Sequence, residues 1–446
     1  MKKLEGKYGK ELTVVGIHSA KFANEGNTEN IRKAAQRYGL QHPIANDSEF
    51  AIWNRYDVHS WPTLMLIDPA GKLIGTVSGE GHYDVLDAFV SQAVKVFDEQ
   101  KLIDREKVIG KPEPMAGSVL KFPAKIVAQP DKHRLFIADT NHNRILISGA
   151  DGAVTDTIGN GQAALNDGSY TSASFYMPHG MAVTGDTLYV ADCENQCIRK
   201  VDLQSKKVEM IAGTGKQVRA AHGGPAKSTP LDSPWDLALS DDGKTLYIAM
   251  AGDHRIWSMD RAGGIVDVLA GNGAEDIVDG PFANASFAQP SGLALHGSKL
   301  YVADSEASGI RELDLDKKTA QTIIGFPNLE KGRLFTFGDV DGPIGTAKLQ
   351  HALGIVYSDD KLYIADTYNH KIKIVTPGTK TVHTFLGNGK SGIGDAKNPQ
   401  FYEPGGLAVL DGKLYVADTD NHRICVIDLK SREMTVLTLT GAAPAP

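Results

Sequence analysis

One short phrase, Leu-Tyr-Val-Ala-Asp or a close variant, recurs along most of this chain and constrains its fold more than any other feature. The six copies begin at Leu135, Leu188, Leu246, Leu300, Leu362 and Leu414. The third copy ends in Met250 where the others end in Asp. Intervals of roughly 50 to 60 residues between copies fit one supersecondary unit. The repeat therefore predicts a chain built from six copies of one structural unit.

Each copy is predicted to contain four short strands. In the last copy these fall at 404–409, 414–417, 424–427 and 434–437, separated by turns rich in Asp, Gly, Asn and Ser. The second strand is apolar throughout instead of alternating, which indicates that both of its faces are buried. Four-stranded units buried by identical neighbours predict a six-bladed β-propeller. A solenoid is the alternative, but its repeats are usually shorter than about 50 residues.

The loop after the second strand carries a family signature. It reads Asp-Thr-x-Asn-His-Arg-Ile at 418–424 and nearly the same at 366–372, and it is partly kept at 253–255. This phrase resembles the NHL repeat, and the resemblance implies an NHL-type propeller over 122–440. Some NHL propellers bind RNA. The net charge of −7 and the lack of interleaved aromatic residues argue against nucleic acid as the partner here.

Residues 1–105 follow a different pattern, in which strands alternate with helices. A strand is expected at 12–17 and helices at 30–38, 48–56 and 82–102, the first two opened by Thr28 and Ser48. The apolar run 61–68 turns at 69–72 into a second strand, 73–78. This order predicts an α/β unit.

The same region resembles the thioredoxin-like fold. Trp61-Pro62-Thr63 looks like that fold's cis-proline turn, and Leu66 to Lys72 looks like the hairpin that follows it. The phrase at 17–22 and the order of the two regions resemble those of a family in which a thioredoxin-like domain precedes NHL repeats. Trp61 and Pro62 are interpreted as a structural turn.

The resemblance also implies a CxxC pair that this chain lacks. Two thiols at a helix N-terminus would be activated by the helix dipole, but no cysteine precedes Cys193. We expect a thioredoxin-like domain without its first strand and CxxC helix start, truncated relative to the native protein. A degenerate domain kept for packing is the alternative. No catalytic residue is assigned.

Composition sets further bounds on domains and location. The expected divisions are the thioredoxin-like domain at 1–105, a Pro-containing linker at 106–121, the propeller, and a disordered tail at 441–446. No run of 18 apolar residues predicts a membrane span. Three cysteines in 446 residues favour a reducing compartment, taken as the cytoplasm. No C-terminal strand is marked to complete blade one, so ring closure stays open.

Basic residues recur in the loops of four blades. They are Arg144, Arg255, Lys371 and Arg423. If the loops share one face, these side chains form a partial ring that could bind phosphate or an acidic peptide. Each also lies near an acidic residue of its own loop, and pairing within the loop is the favoured interpretation.

The residues that follow the start of each first strand are expected to line the central channel. They are Ala124, His179, Trp235, Ser291, Leu353 and Gly405. His179 and Trp235 could form a pocket for a small ligand or a peptide side chain; the alternative is that they plug the channel. A zinc lyase would need several histidines there, so neither a metal nor another cofactor is expected.

Two further sets of side chains have a structural and a functional interpretation. The repeated Asp residues, Asp139, Asp192, Asp304, Asp366 and Asp418, could ligate metals. The favoured role is to accept backbone N–H groups two or three residues on. Cys193 and Cys197 flank a tight loop and could form a redox-sensitive bridge, although free thiols are favoured.

These features favour a binding or scaffold protein that acts on a protein or peptide partner through its loop-rich face. The alternative is a thiol–disulfide oxidoreductase whose CxxC lies upstream and whose propeller positions the substrate.

Overall fold

The computed structural model describes residues 1–79, 81–106, 117–330, 335–395 and 397–442. The chain divides into two compact units, Met1–Ala116 and Gly117–Pro446, and each is described by itself. Most of the predicted linker, 107–116, and the end of the predicted tail, 443–446, lie outside the described residues. The domain boundaries proposed from sequence therefore stay predictions.

The first unit is a small α/β arrangement. Its helices are Lys2–Lys7, Thr28–Tyr38, Ala51–Arg55 and Tyr83–Glu99, with a 3-10 turn at Ala23–Gly26. Gly16–His18 pairs in parallel with Ile44–Asn46, and Thr63–Ile67 pairs antiparallel with Leu73–Ser78. A small core forms where Leu4 and Tyr8 meet Val90. The peptide bond between Trp61 and Pro62 is cis.

Two helix caps differ from the sequence prediction. Asn27, not Thr28, caps the second helix, and its side chain accepts a hydrogen bond from the backbone N–H of Glu29 at 2.8 Å. The N-cap position of the third helix is Phe50, and the N–H groups of Ile52 and Trp53 in its first turn donate to the side chain of Asp47, not of Ser48, both at 2.9 Å. An ionised carboxylate that accepts two N–H groups at a helix start is a stronger cap than a hydroxyl.

The described strands of this unit form two separate two-stranded sheets. Apolar side chains beside them are exposed, including Val15 at 55%, Ile17 at 43% and Ile67 at 45%. Because sheets normally bury their apolar faces and pair their central edges, this part of the fold offers both open edges and open apolar surface.

The second unit is a six-bladed β-propeller, which confirms the fold predicted from the repeat. Blades one to three comprise Ile126–Gln129, Arg134–Asp139, Arg144–Gly149 and Val154–Ile158; Pro178–Thr184, Thr187–Asp192, Cys197–Asp202 and Lys207–Gly213; Pro234–Leu239, Thr245–Met250, Arg255–Asp260 and Ile265–Ala270. Blades four to six comprise Pro290–His296, Lys299–Asp304, Gly309–Asp314 and Thr319–Ile324; Gly354–Ser358, Lys361–Asp366, Lys371–Thr376 and Thr381–Leu386; Pro404–Leu410, Lys413–Asp418, Arg423–Asp428 and Met434–Val436.

Short segments between blades cover the outer edges of blades two to five. They are Gly168–Ser169, Gly224–Pro225, Gly280–Pro281 and Gly342–Pro343, and each pairs with the fourth strand of the next blade. Short 3-10 turns occur at Pro130–Lys132, Thr140–His142, Thr367–Asn369 and Thr419–Asn421. The covered edges remove open hydrogen-bonding groups from the rim of the ring.

The second strands form the core of the ring because both of their faces meet a neighbouring blade. Leu362 and Ile364 pack toward blade four, whereas Tyr363 and Ala365 pack toward blade six. All four are at most 3% exposed. The unbroken apolar run in each second strand is therefore required by burial on two sides.

The inner segments of the six blades meet at one residue level near the axis. The residues at this level are Lys125, Gly180, Asp236, Gly292, Gly354 and Gly406. A Cβ atom on Gly180 would lie 2.3 Å from the Cα of Asp236, and one on Gly406 would lie 2.6 Å from the Cα of Lys125. Adjacent inner segments thus approach too closely for side chains at the glycine positions, and the space at the axis is left to Lys125 and Asp236.

Lys125 spans the axis and bonds to three other blades. Its ammonium donates to Asp236 Oδ2 at 3.1 Å and to the carbonyl oxygens of Ser291 at 2.8 Å and Leu353 at 2.7 Å. Asp236 Oδ2 also accepts the backbone N–H of Leu293 at 3.0 Å. Blade one is thereby tied to blades three, four and five, and the Lys125 side chain fills the channel at this level.

The ring closes between blade six and blade one through side-chain and backbone contacts. Thr419 Oγ1 donates to the carbonyl oxygen of Pro123 at 2.9 Å. The backbone N–H of Val154 donates to Thr440 O at 2.9 Å, and Thr440 N donates to Gly152 O at 3.0 Å. The segment around Thr440 therefore covers the outer strand of blade one, a closure that the sequence did not mark.

We expect Lys125→Met to destabilise the propeller strongly. The substitution removes the ammonium from beside the buried Asp236 carboxylate and two carbonyl oxygens, and breaking a buried pair from one side costs about 3–5 kcal/mol. Urea denaturation would measure this loss. Adding Asp236→Asn should restore part of the stability because it removes the uncompensated charge. Lys200→Met, at a solvent-exposed pair with Glu209, is the matched control and should have little effect.

Candidate binding face of the propeller

All six loops between second and third strands lie on one face of the ring. Pro178 pairs with Asp192 and Pro404 pairs with Asp418, so the start of each first strand lies beside the end of its second strand. We call this surface the loop face. It comprises the loops 139–144, 192–197, 250–255, 304–309, 366–371 and 418–423, and the residues that precede each first strand.

The repeated Asp residues hold the start of each blade. One carboxylate oxygen of each accepts the backbone N–H of a residue just before the first strand, at 2.7–2.8 Å: the donors are Lys121, Tyr176, Ala288, Gln350 and Tyr402. In blade three the sulfur of Met250 receives the equivalent N–H, from Asp232, at 3.4 Å. The structural role holds, but the predicted donors two or three residues on were wrong.

Burial changes the acidity of these carboxyl groups. It raises the pKa of Asp304 and of Asp366 to about 7, against the opposing effect of the cations and N–H donors beside them. It raises the pKa of Asp192 to about 6 in the same way. Among the described residues no group of three or more His, Cys, Asp or Glu side chains could hold a metal ion.

The four basic loop residues pair within the protein and do not gather into an open ring. Arg144 Nε lies 2.8 Å from Asp139, and its side chain is 4% exposed. Arg423 Nε lies 2.7 Å from Asp418, and its side chain is 13% exposed.

Arg255 and Lys371 complete this set. Arg255 lies 3.4 Å from Asp253, a residue of its own loop. Lys371 differs from the expectation, because it pairs with Asp339 in the segment between blades four and five and not with an acidic residue of its own loop. All four cations hold chain segments in place around the loop face.

Three cations that were not predicted from the sequence are fully buried. Arg199, Arg311 and Lys373 lie on the third strand of blades two, four and five, with side chains that are 0% exposed. Arg199 bonds at 2.8 Å to both Asp192 and Asp167. The signal was present as an Asp-Gly pair at 167, 279 and 341, in the blades whose third strand carries a basic residue at its third position.

The structure brings His179 and Trp235 together. Their ring centroids are 5.3 Å apart and their planes are inclined by 40°. The two residues belong to neighbouring blades, are half-buried, and lie one residue closer to the loop face than the level of Lys125. We call the opening around them the channel mouth.

The other residues predicted to line the channel contribute little to this opening. Ser291 is fully buried, and its hydroxyl lies 2.9 Å from that of Ser305. Ala124, Leu353 and Gly405 carry no polar side-chain group. The polar and aromatic character of the channel mouth is therefore concentrated at blades two and three.

A second aromatic group on the loop face lies at blades four and five. The rings of His351 and Tyr368 stack with centroids 4.4 Å apart and planes inclined by 12°. Glu306 Oε1 lies 3.6 Å from His351 Nδ1. This group was not predictable from the repeat phrase, because His351 precedes the first strand, at a position that the phrase does not include.

All three cysteines are buried free thiols. Burial raises the pKa of Cys193 and of Cys197 well above the usual value, and the acidic groups near them add to the shift. A thiol held protonated is a poor nucleophile. A bridge between Cys193 and Cys197 stays a prediction.

Comparison with known proteins agrees with both halves of this architecture. The NHL repeat family model matches residues 175–201 and 401–427, and a thioredoxin-like family model matches residues 1–73. In the described part of the chain no helix is long and apolar enough to cross a membrane.

Curated relatives match over nearly the whole chain. Protein SUPPRESSOR OF QUENCHING 1, chloroplastic, from Arabidopsis thaliana is 40% identical over 462 residues, which cover 99% of this chain and 44% of that protein. NHL repeat-containing protein 2 from Homo sapiens is 38% identical over 460 residues, covering 96% of this chain and 63% of that protein.

A third relative matches a much shorter part of the chain. Thiol-disulfide oxidoreductase ResA from Geobacillus thermodenitrificans is 34% identical over 73 residues, covering 16% of this chain and 38% of that protein. The order of the two family matches and the near-complete alignments with the longer relatives lead to one conclusion. The chain is a homologue of these two longer proteins, and its own thioredoxin-like match at residues 1–73 precedes its NHL repeat matches.

Proposed function

We propose that this chain is a binding or scaffold protein that recognises a protein or peptide partner at the channel mouth. The observation that carries the proposal is the contact between the half-buried rings of His179 and Trp235. An aromatic side chain with a polar tip offers a large contact area together with a hydrogen bond, which is why Trp is enriched at binding hot spots.

The charges around the mouth support binding over catalysis. The four basic loop residues have their hydrogen bonds inside the protein, and the thiol of Cys193 is buried. Lys125 fills the channel below the mouth. A ligand would therefore rest against the rings from the loop face, as a protruding side chain of a partner can, and would not thread the ring.

The proposed location is the cytoplasm or another reducing compartment. Three free thiols in the described structure fit a compartment where disulfides do not persist.

Replacing both aromatic side chains should weaken partner binding while leaving the propeller folded. Peptides selected from a displayed random library on the wild-type chain should bind the His179→Ala/Trp235→Ala variant at least tenfold more weakly, since hot-spot aromatics carry about 2 kcal/mol or more. Fluorescence anisotropy would measure the affinities. Val436→Ala, at an exposed position of blade six, is the control. Equal affinity for the double variant and the wild type would refute the proposed site.

A second candidate function is thiol–disulfide exchange by a longer form of the protein. The thioredoxin-like match at residues 1–73 and the alignment with an oxidoreductase favour it. The chain spans 44% and 63% of the length of its two longer relatives. The two separate sheets with exposed Val15 and Ile17 fit a domain that an additional strand would complete. The propeller would then position the substrate.

Dithiothreitol-driven reduction of insulin separates the two candidates. We expect this chain to be inactive, because its cysteines are buried thiols with raised pKa values. A protein extended upstream to the next in-frame start, with a CxxC pair, should be active, and replacing that pair with serines should abolish the activity. If the extended protein is inactive, the oxidoreductase function is excluded and binding is the remaining candidate.

A further inference from the structure

Each pair of adjacent blades is joined by an equivalent hydrogen bond on the loop face. The backbone N–H of the residue that precedes a first strand donates to the side chain of a loop residue of the preceding blade. We call these contacts the blade joints. They are Met177 to Asn143 Oδ1 at 3.0 Å, Ser233 to Gln196 Oε1 at 2.6 Å, Gln289 to His254 Nδ1 at 3.2 Å, His351 to Ser308 Oγ at 3.1 Å, Glu403 to His370 Nδ1 at 3.3 Å, and Phe122 to His422 Nδ1 at 3.1 Å.

The backbone explains why the joints are equivalent. Each acceptor residue has a left-handed conformation, with φ of 51° at Asn143 and 53° at His370. Asn tolerates this conformation best among residues with an acceptor side chain, and blade one uses it. His254, His370 and His422 have the same backbone but offer a ring nitrogen.

The six joints differ in their response to protons. The oxygen acceptors of Asn143, Gln196 and Ser308 do not titrate. A histidine Nδ1 accepts a hydrogen bond only when the ring is neutral, because both ring nitrogens carry protons in the imidazolium. Protonation would turn the acceptor into a second donor that faces the N–H of the next blade. Three of the six joints therefore depend on neutral histidine.

The surroundings of His254 and His370 favour the neutral ring. Burial lowers the pKa of His254; Glu275 and Arg219 act on it with opposite signs, and Asp253 and Asp232 raise it. Burial also lowers the pKa of His370, and Glu403 opposes that effect.

The third histidine lies at the closure of the ring. His422 packs against the ring of Phe122, with centroids 4.4 Å apart. Its joint connects blade six to blade one. The donor, Phe122, and the acceptor, His422, are 300 positions apart in the chain.

We propose that the three histidine blade joints make the propeller acid-sensitive, so that protons loosen the contacts from blade three to four, five to six, and six to one. A histidine whose pKa is lower in the folded than in the unfolded chain stabilises the fold above the unfolded value of about 6.5. That contribution is lost as the pH falls through the folded-state pKa.

Other groups titrate in the same range with the opposite sign. Asp192, Asp304 and Asp366 have raised pKa values, so their contribution is present at acidic pH and is lost as the pH rises through about 6 to 7. The pH profile of stability alone is therefore not diagnostic. The comparison must be made between joints of the two chemical types in one molecule.

Amide hydrogen exchange, read by mass spectrometry on peptides that span each joint, makes that comparison. The amides of Phe122, Gln289 and Glu403 report the histidine joints, and those of Met177 and Ser233 report oxygen joints. Each unit of pKa lowering changes the opening equilibrium about tenfold. From about pH 7.5 to about pH 5, we expect protection at the histidine joints to fall severalfold relative to the oxygen joints.

The triple variant His254→Asn/His370→Asn/His422→Asn tests the cause. It installs the acceptor that blade one already uses, so the ring should fold and the relative loss of protection should disappear. If the triple variant fails to fold, His370→Asn alone should remove the effect at the Glu403 joint. His383→Asn, at an exposed position, is the control and should behave as the wild type. A protection ratio that does not change with pH in the wild type overturns the proposal, as does one that changes equally in the wild type and the triple variant.

Discussion

The buried ion pair between Lys125 and Asp236 is the contact around which the ring is arranged. Its ammonium reaches one carboxylate and two carbonyl oxygens from three blades. Such a pair costs desolvation energy that only close, complete hydrogen bonding offsets. The glycines at the same level allow the inner segments to come that close. The geometry of the axis therefore depends on both the charged pair and the residues without side chains around it.

The loops show how one structural role can be filled by different residues. In five blades a carboxylate accepts the backbone N–H that precedes the first strand, and in blade three the sulfur of Met250 does so. In blade three the acidic residue is instead Asp253, three positions further along the loop, and it accepts the indole N–H of Trp257 at 2.7 Å. Each of these buried N–H donors therefore has an acceptor, although the acceptor residue differs between blades, because buried polar groups need hydrogen-bond partners.

The fold was predictable because its signal is repeated six times and because burial on two faces leaves an unbroken apolar strand. The thioredoxin-like region and the proximity of His179 to Trp235 were also predictable, from local phrases and from equivalent positions in the repeat. The ion pair at the axis was not predictable, since Lys125 and Asp236 are 111 residues apart and only the closed ring brings them together. The fully buried cations were missed for a similar reason, because a basic residue in a strand resembles a surface residue until its distant carboxylates are known.

The closure of the ring has a consequence for the order of folding. Blade one is the first of the six blades to leave the ribosome, yet its outer strand pairs with the segment around Thr440 and its first residues bond to the loop of blade six. Contacts between such distant parts of a chain form late and slowly. During synthesis the five preceding interfaces can assemble in sequence, while blade one keeps an open edge that attracts other strands. The nascent chain is therefore most prone to aggregation in the interval before its last blade emerges.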